Sequence, residues 1–181
     1  MGGRNLEDLW ENLLRAVEAF RLAERGGVLI HGCAVASKGG VVLCPGVSGA
    51  GKSTFAAMFR AAGRSVFSDD CVALFPDSEG DFLLQGLPFG GDFRPRMSSC
   101  PPVALSAVLV LEKASCDCIK PLSPAWAAAV LIRCAPFVNG DPYPENSCFG
   151  RKGPFLFFTL RRVCSGPGGV FGSIVVTERL R

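Results

Sequence analysis

Leu6, Leu9, Trp10, Leu13, Leu14, Val17 and Phe20 recur at intervals of three and four residues near the start of the chain. This spacing lines side chains along one face of an α-helix. Asn5 can cap the start of that helix, and Gly26-Gly27 ends it, since Asn accepts from free first-turn N–H groups and Gly tolerates the left-handed turn that follows a helix. So wide an apolar stripe is expected to pack on the chain's own sheet rather than on a partner.

The period then shortens. Residues 28–30, 33–36 and 41–44 are short β-rich runs separated by Gly32 and by Ser37-Lys38-Gly39-Gly40, so a sheet is expected to begin here. Residues 53–62 read as a helix closed by Gly63. Residues 65–67, 71–75 and 82–84 read as strands, with a turn over 76–81. The run at 103–111 is apolar enough for a strand buried on both faces. Ser123-Pro124 supplies an N-cap and a first-turn proline for a helix running to about Arg133. Residues 135–154 are rich in Pro, Gly and Asn and read as a long loop, with late strands at 155–163 and 173–178. The alternation predicts an α/β fold in which a mixed β-sheet is flanked by helices.

A length of 181 residues bounds this to one domain. It is divided into a helix within 1–26, a core over 28–134 and a variable segment over 135–181. The 49% hydrophobic and 19% charged content suits a well-buried domain. No apolar run approaches the roughly eighteen residues that cross a bilayer, so no membrane span is expected. There is no apolar signal core at the N-terminus, and Leu6 stands where a myristoylation motif needs Ser or Thr. A cytoplasmic location is expected. The net charge of +3 is small and scattered, its densest pairs being Arg94/Arg96 and Arg161/Arg162, which argues against a nucleic-acid surface. The nine cysteines are dispersed and odd in number, so they read as reduced, buried thiols. Cys116 and Cys118 lack the second pair that a zinc site would need.

The octet Gly46-Val47-Ser48-Gly49-Ala50-Gly51-Lys52-Ser53 matches the P-loop, or Walker A, pattern GxxxxGK[ST]. It follows a strand-like run and opens a helix, the arrangement that wraps backbone N–H groups and a helix N-terminus around an anion. The glycines let the backbone curl, Lys52 offsets β- and γ-phosphate charge, and the Ser53 hydroxyl can ligate Mg²⁺. The nucleotide-binding set is therefore Gly46, Ser48, Gly49, Ala50, Gly51, Lys52 and Ser53, with Thr54 beside it; a glycine-rich turn that binds nothing is the plain alternative. His31, the sole histidine, lies twenty-one positions before Lys52, and Asp69-Asp70 begins seventeen after it. An acidic residue at the end of a neighbouring strand can hold Mg²⁺ or orient an attacking group, and two adjacent carboxylates permit a division of labour. An ordinary Asp-Asp turn and a structural histidine are the competing readings.

The segments LIHGCAVAS, GVVLCPGVSGAGKST and SVFSDDCVAL, spanning residues 28–74, resemble in order and spacing the catalytic domain of HPr kinase/phosphorylase. They also resemble its kinase relatives, which include peptide kinases that modify natural-product precursors. The resemblance implies a single P-loop domain of HPr kinase/PEP carboxykinase-like type, and an ATP- and Mg²⁺-dependent kinase that transfers the γ-phosphoryl group to a hydroxyl, a serine on a protein or peptide. It makes Asp69 the general base, Asp70 a member of the metal and phosphate network, and His31 a residue that tunes or positions the pair. Arg133 would be the counterpart of a family arginine that stabilises phosphoryl charge, or simply a helix-ending arginine; Arg94 or Arg96 would serve equally. Leu87-Pro88-Phe89-Gly90-Gly91 resembles a turn near the relatives' active site and is also a good loop. Nothing matches the extra N-terminal domain of the bacterial enzymes or, after Ala135, the regions by which they grip HPr. A small-molecule hydroxyl as acceptor and a non-catalytic ATP-binding switch therefore remain alternatives. The relatives assemble into rings, so a homo-oligomer is one option.

Overall fold

The computed structural model describes residues 6–89, 101–113, 118–135 and 157–162. Asn5, Gly90-Gly91, Arg94, Arg96, the strand expected at 173–178 and most of 135–181 lie outside them. The elements are α1 (Leu6–Glu24), β1 (Val28–Ser37), β2 (Gly40–Pro45), α2 (Lys52–Ala61), β3 (Val66–Ser68), β4 (Cys71–Pro76), β5 (Phe82–Gly86), β6 (Val103–Lys113), β7 (Cys118–Pro121), α3 (Pro124–Arg133) and β8 (Phe157–Arg162). The strands form one eight-stranded sheet in the order β2-β1-β4-β5-β6-β8-β7, with β3 beside β1 and β2 also beside β6. The β2–β6 and β6–β8 pairs are parallel and the others antiparallel. The fold is α/β, with a mixed sheet flanked by helices, as the alternating periods predict. Among the described residues no helix is long and apolar enough to cross a membrane.

The two runs expected on either side of Gly32 are one ten-residue strand, β1. Gly32 marks not a break but a change of partner. Val28 to His31 pair with β4, and Gly32 to Ser37 pair with β2. On the β4 side the ladder resumes in β3: Ala34 faces Ser68 just as His31 faces Cys71. The register carries over from β4 to the first β3 pair and shifts only beyond it, where Val35 faces Val66, so Asp69-Asp70 fills the gap between β3 and β4 at the level of Gly32 and Cys33. A Cβ at position 32 would stand 2.9 Å from the Cys44 carbonyl oxygen and 3.1 Å from Pro45 Cα. Only glycine lets three strands approach this closely.

Alternation along β1 divides the core. Val28, Ile30 and Ala34 face Val41, Leu43, Val72, Leu74 and Val108, with Leu131 of α3 closing that side. On the other face Cys33 and Val35 join Val42 and Cys44 beneath Phe55 and Ala56 of α2. Leu29, Cys71 and Ala73 lie beneath Leu22 of α1. His31 falls on this second face, in the seam between the two helices. β6 is buried on both faces only at Ala107, Val108 and Leu109, while Ala104 is exposed, so two-sided burial covers less of it than its composition suggests. Ser123 caps α3, accepting a hydrogen bond from Trp126 N–H at 3.3 Å with proline at the first turn. β7 has no counterpart among the expected strands, because its residues are mostly exposed and carry no apolar run.

The packing of α1 overturns one expectation. Its stripe does not lie on the sheet: Leu6, Leu9, Trp10, Leu13, Leu14, Val17 and Phe20 range from 48% to 68% exposed. The opposite side of the helix, carrying Arg15, Ala19 and Leu22, faces β1 and β4. The physical reason is that Arg15 pairs with Asp70, and a half-buried charge pair sets the rotation of a helix whose apolar footprint beneath is small.

Two stability measurements check this architecture. Gly32→Ala should lower unfolding free energy by about 2 kcal/mol in urea titration, because backbone atoms cannot give way to the added Cβ. Leu22→Ala should cost about 2–4 kcal/mol, against about 0.5 kcal/mol or less for Leu13→Ala on the outward stripe. A larger loss from Leu13→Ala would mean that the stripe faces inward.

Candidate functional site

The glycine-rich loop leaves β2 at Pro45. Gly49 and Gly51 take positive φ angles of 80° and 97°, and a Cβ on Gly46 would press within 3.0 Å of the Ala50 Cβ. Ala50 N–H donates to the Val47 carbonyl at 3.2 Å, curling the loop over Lys52. Lys52 is 7% exposed, and its ammonium donates to the same carbonyl at 2.9 Å. Val47, Ser48 and Gly49 are exposed; Ala50, Gly51 and Ser53 are intermediate, and Thr54 is exposed. α2 starts at Gly51 with no side-chain cap and no acidic residue in its first turn. Free N–H groups, the positive end of the helix dipole and a lysine therefore meet in one place, a combination suited to an anion.

Two backbone hydrogen bonds join this loop and the acidic turn to β1, and a third joins the end of α3 to the same place. Gly46 N–H donates to the His31 carbonyl at 3.3 Å, Gly32 N–H to the Asp70 carbonyl at 2.9 Å, and His31 N–H to the Cys134 carbonyl at 2.7 Å. The loop start, the acidic turn and the end of α3 thus converge on adjacent residues of one strand.

The turn between β3 and β4 is held by Ser68, whose hydroxyl donates to the Cys71 carbonyl at 2.8 Å and accepts from Asp70 N–H at 3.3 Å. Asp69 is only 4% exposed. Asp70 faces two basic groups: its Oδ2 lies 2.6 Å from Arg15 Nη2 and its Oδ1 lies 3.5 Å from His31 Nδ1. Arg15 also pairs with Glu11 at 2.8 Å and stacks over Phe89 at 5.6 Å. Burial, then the nearby Lys52 ammonium, pulls His31 below its ordinary 6.5; Asp70 opposes this and Arg15 adds to it. The imidazole is thus neutral at pH 7. Burial, followed by the Asp70 carboxylate, pushes the Cys71 thiol up to about 12. Donor atoms of His31, Asp70 and Cys71 lie within 4.8 Å of one another, but a thiol held protonated at neutral pH makes this trio a poor metal site.

The structure therefore brings His31, Lys52 and Asp70 together at one crossing point, with Asp69 next to Asp70 in the turn. Arg133 is exposed at the end of α3, and Arg94 and Arg96 lie outside the described residues. Arg15 is the arginine beside the acidic pair, and no motif in the sequence marks it. Its one signal was its place on the helix opposite the middle of the apolar stripe, where a solvated face was the simpler reading. The described cysteines Cys33, Cys44, Cys71, Cys118 and Cys134 are free thiols, and all but Cys118 are buried.

Residues 7–143 match the family described as SynChlorMet cassette protein ScmC, and the chain belongs to this ScmC family. The match runs from α1 past α3 and includes His31, the glycine-rich loop and both aspartates. No curated protein matches the chain.

The electrostatics predict the titration of His31, observable as the sole imidazole by NMR. Its midpoint should lie below 6.5, rise in Lys52→Ala and fall further in Asp70→Asn. Because the folded midpoint is the lower one, the stability contributed is complete above the unfolded value near 6.5 and lost as pH falls through the folded midpoint. A midpoint above 6.5 would show that Asp70, not burial and Lys52, dominates.

Proposed function

We propose that this member of the ScmC family is an ATP-dependent kinase of P-loop, HPr kinase/PEP carboxykinase-like type, acting on a hydroxyl, in particular a serine, of a protein or peptide. The observation that carries the reading is the meeting of the glycine-rich loop and Asp69-Asp70 across the His31–Gly32 crossing of β1. An anion-binding helix start and a buried carboxylate on neighbouring strands are the two parts phosphoryl transfer needs: charge neutralisation on one side, a proton acceptor on the other. A cytoplasmic location accords with the use of ATP.

The free N–H groups at the start of α2 and the Lys52 ammonium bind and orient the β- and γ-phosphates, while the exposed edge of the loop admits the nucleotide. Asp69 takes the proton of the acceptor hydroxyl as the new O–P bond forms, and the bond between the γ-phosphorus and the bridging oxygen breaks, leaving ADP. Burial of Asp69 keeps competing water from that carboxylate. Neutral His31 lies beside Asp70 and adds no positive charge that would compete with Lys52. Mg²⁺, when bound with ATP, offsets phosphate charge, and the Ser53 hydroxyl and Asp70 are the residues suited to hold it.

Two variants separate chemistry from binding. Asp69→Asn should lower transfer from γ-labelled ATP to acceptors in lysate by roughly 10²–10⁴-fold while nucleotide affinity, read by calorimetry, stays within about twofold. Lys52→Ala should weaken both. Transfer by Asp69→Asn at the wild-type rate would remove Asp69 as the base, and no nucleotide affinity in the wild-type protein would remove the kinase reading altogether.

A further inference from the structure

Both oxygens of Asp70 face groups of the chain itself: the Arg15 guanidinium at 2.6 Å on one and the neutral His31 imidazole at 3.5 Å on the other. Arg15 reaches it from a helix 55 positions away in sequence, its Nη2 shared between Asp70 and Glu11 and its guanidinium lying over the Phe89 ring. The pair is largely shielded, the two side chains being 23% and 17% exposed. A divalent cation ligated by a carboxylate needs direct approach to an oxygen, and a guanidinium already on that carboxylate opposes a second, doubly charged neighbour.

The way α1 is attached makes this competition consequential. Its apolar stripe faces outward, and its apolar anchors on the sheet, Ala19 and Leu22, lie toward its C-terminal end. Arg15, at the middle of the helix, ties it to the acidic turn between β3 and β4. Resting on the nucleotide and metal reading above, we propose that Arg15 is a positioning residue that holds Asp70 against α1, so that docking of α1 and ligation of a divalent cation compete for one carboxylate. Binding of the metal–nucleotide pair then frees the N-terminal half of α1, and anything that pulls α1 away makes Asp70 available.

The test uses the full chain with ADP and Mn²⁺ as probes, free Mn²⁺ being read by electron paramagnetic resonance. Arg15→Ala should bind Mn²⁺ on the order of fivefold more tightly, the factor by which a modestly favoured closed state lowers apparent affinity. Arg15→Lys, which keeps the charge but loses the planar fork, should fall between it and wild type. Asp70→Asn should weaken Mn²⁺ binding, and adding Arg15→Ala to it should change nothing further. Hydrogen exchange in the first two turns of α1 should speed up in Arg15→Ala, and in the wild type on adding Mn²⁺ and ADP. The proposal is overturned if Arg15→Ala binds Mn²⁺ no more tightly than wild type, or if its gain survives in the Asp70→Asn background. Should Arg15→Ala fail to fold, Arg15→Lys decides by the same criterion. A wild-type chain that binds neither probe overturns the nucleotide reading, and this proposal with it, whereas unchanged Mn²⁺ affinity in Arg15→Ala overturns this proposal alone.

Discussion

β1 changes partners at His31–Gly32, and the rest of the molecule is arranged around that crossing. One half of the strand hydrogen-bonds to β4 and the other to β2, so the end of β2 and the start of β4 arrive at the same place from opposite directions. Loops that leave strand ends at a common point are where ligand-binding groups collect in α/β proteins, because backbone N–H groups there have no ladder partner. Gly32 makes the convergence possible by allowing the Cys44 and Pro45 backbone to close on it.

Charge at the crossing is laid out in a row. Lys52 lies on the α2 side, Arg15 on the α1 side, with His31 and Asp70 between them, and Asp69 is buried alongside. Each position follows from the two helices. α2 covers Cys33 and Val35, α1 covers Leu29 and Ala73, and the strip left between their footprints is the one part of that sheet face where a polar side chain at position 31 keeps contact with water. Partial burial of opposite charges in such a seam strengthens their coupling over that of a surface pair.

α1 turns a polar contact toward the sheet and leaves a much larger apolar surface outward. The stripe from Leu6 to Phe20 would release more free energy on burial than the Arg15–Asp70 pair contributes, yet it points outward. Beneath the helix the sheet offers only a small apolar area, already filled by Leu22, Leu87 and Phe89. Turning the helix over would give the stripe little apolar surface to pack on and would part Arg15 from Asp70, leaving that carboxylate in the seam without its guanidinium.

Local chemistry determined much of this protein. Glycines at 26, 49, 51 and 63 sit where the backbone takes positive φ, Ser123-Pro124 starts α3, and the loop from Gly46 to Ser53 opens α2, because each depends on a few neighbouring residues. The spacing of His31, Lys52 and Asp69-Asp70 likewise marked the residues that meet, since short strands and tight turns leave them little freedom to part. Tertiary structure alone decided the rest. Periodicity shows that a helix has an apolar face and not what that face touches, so the rotation of α1 and the role of Arg15 were hidden. Residues 28–30 and 33–36 looked like two strands because a glycine ends a local pattern whether it breaks a strand or lets three strands meet, and only long-range pairing distinguishes the two.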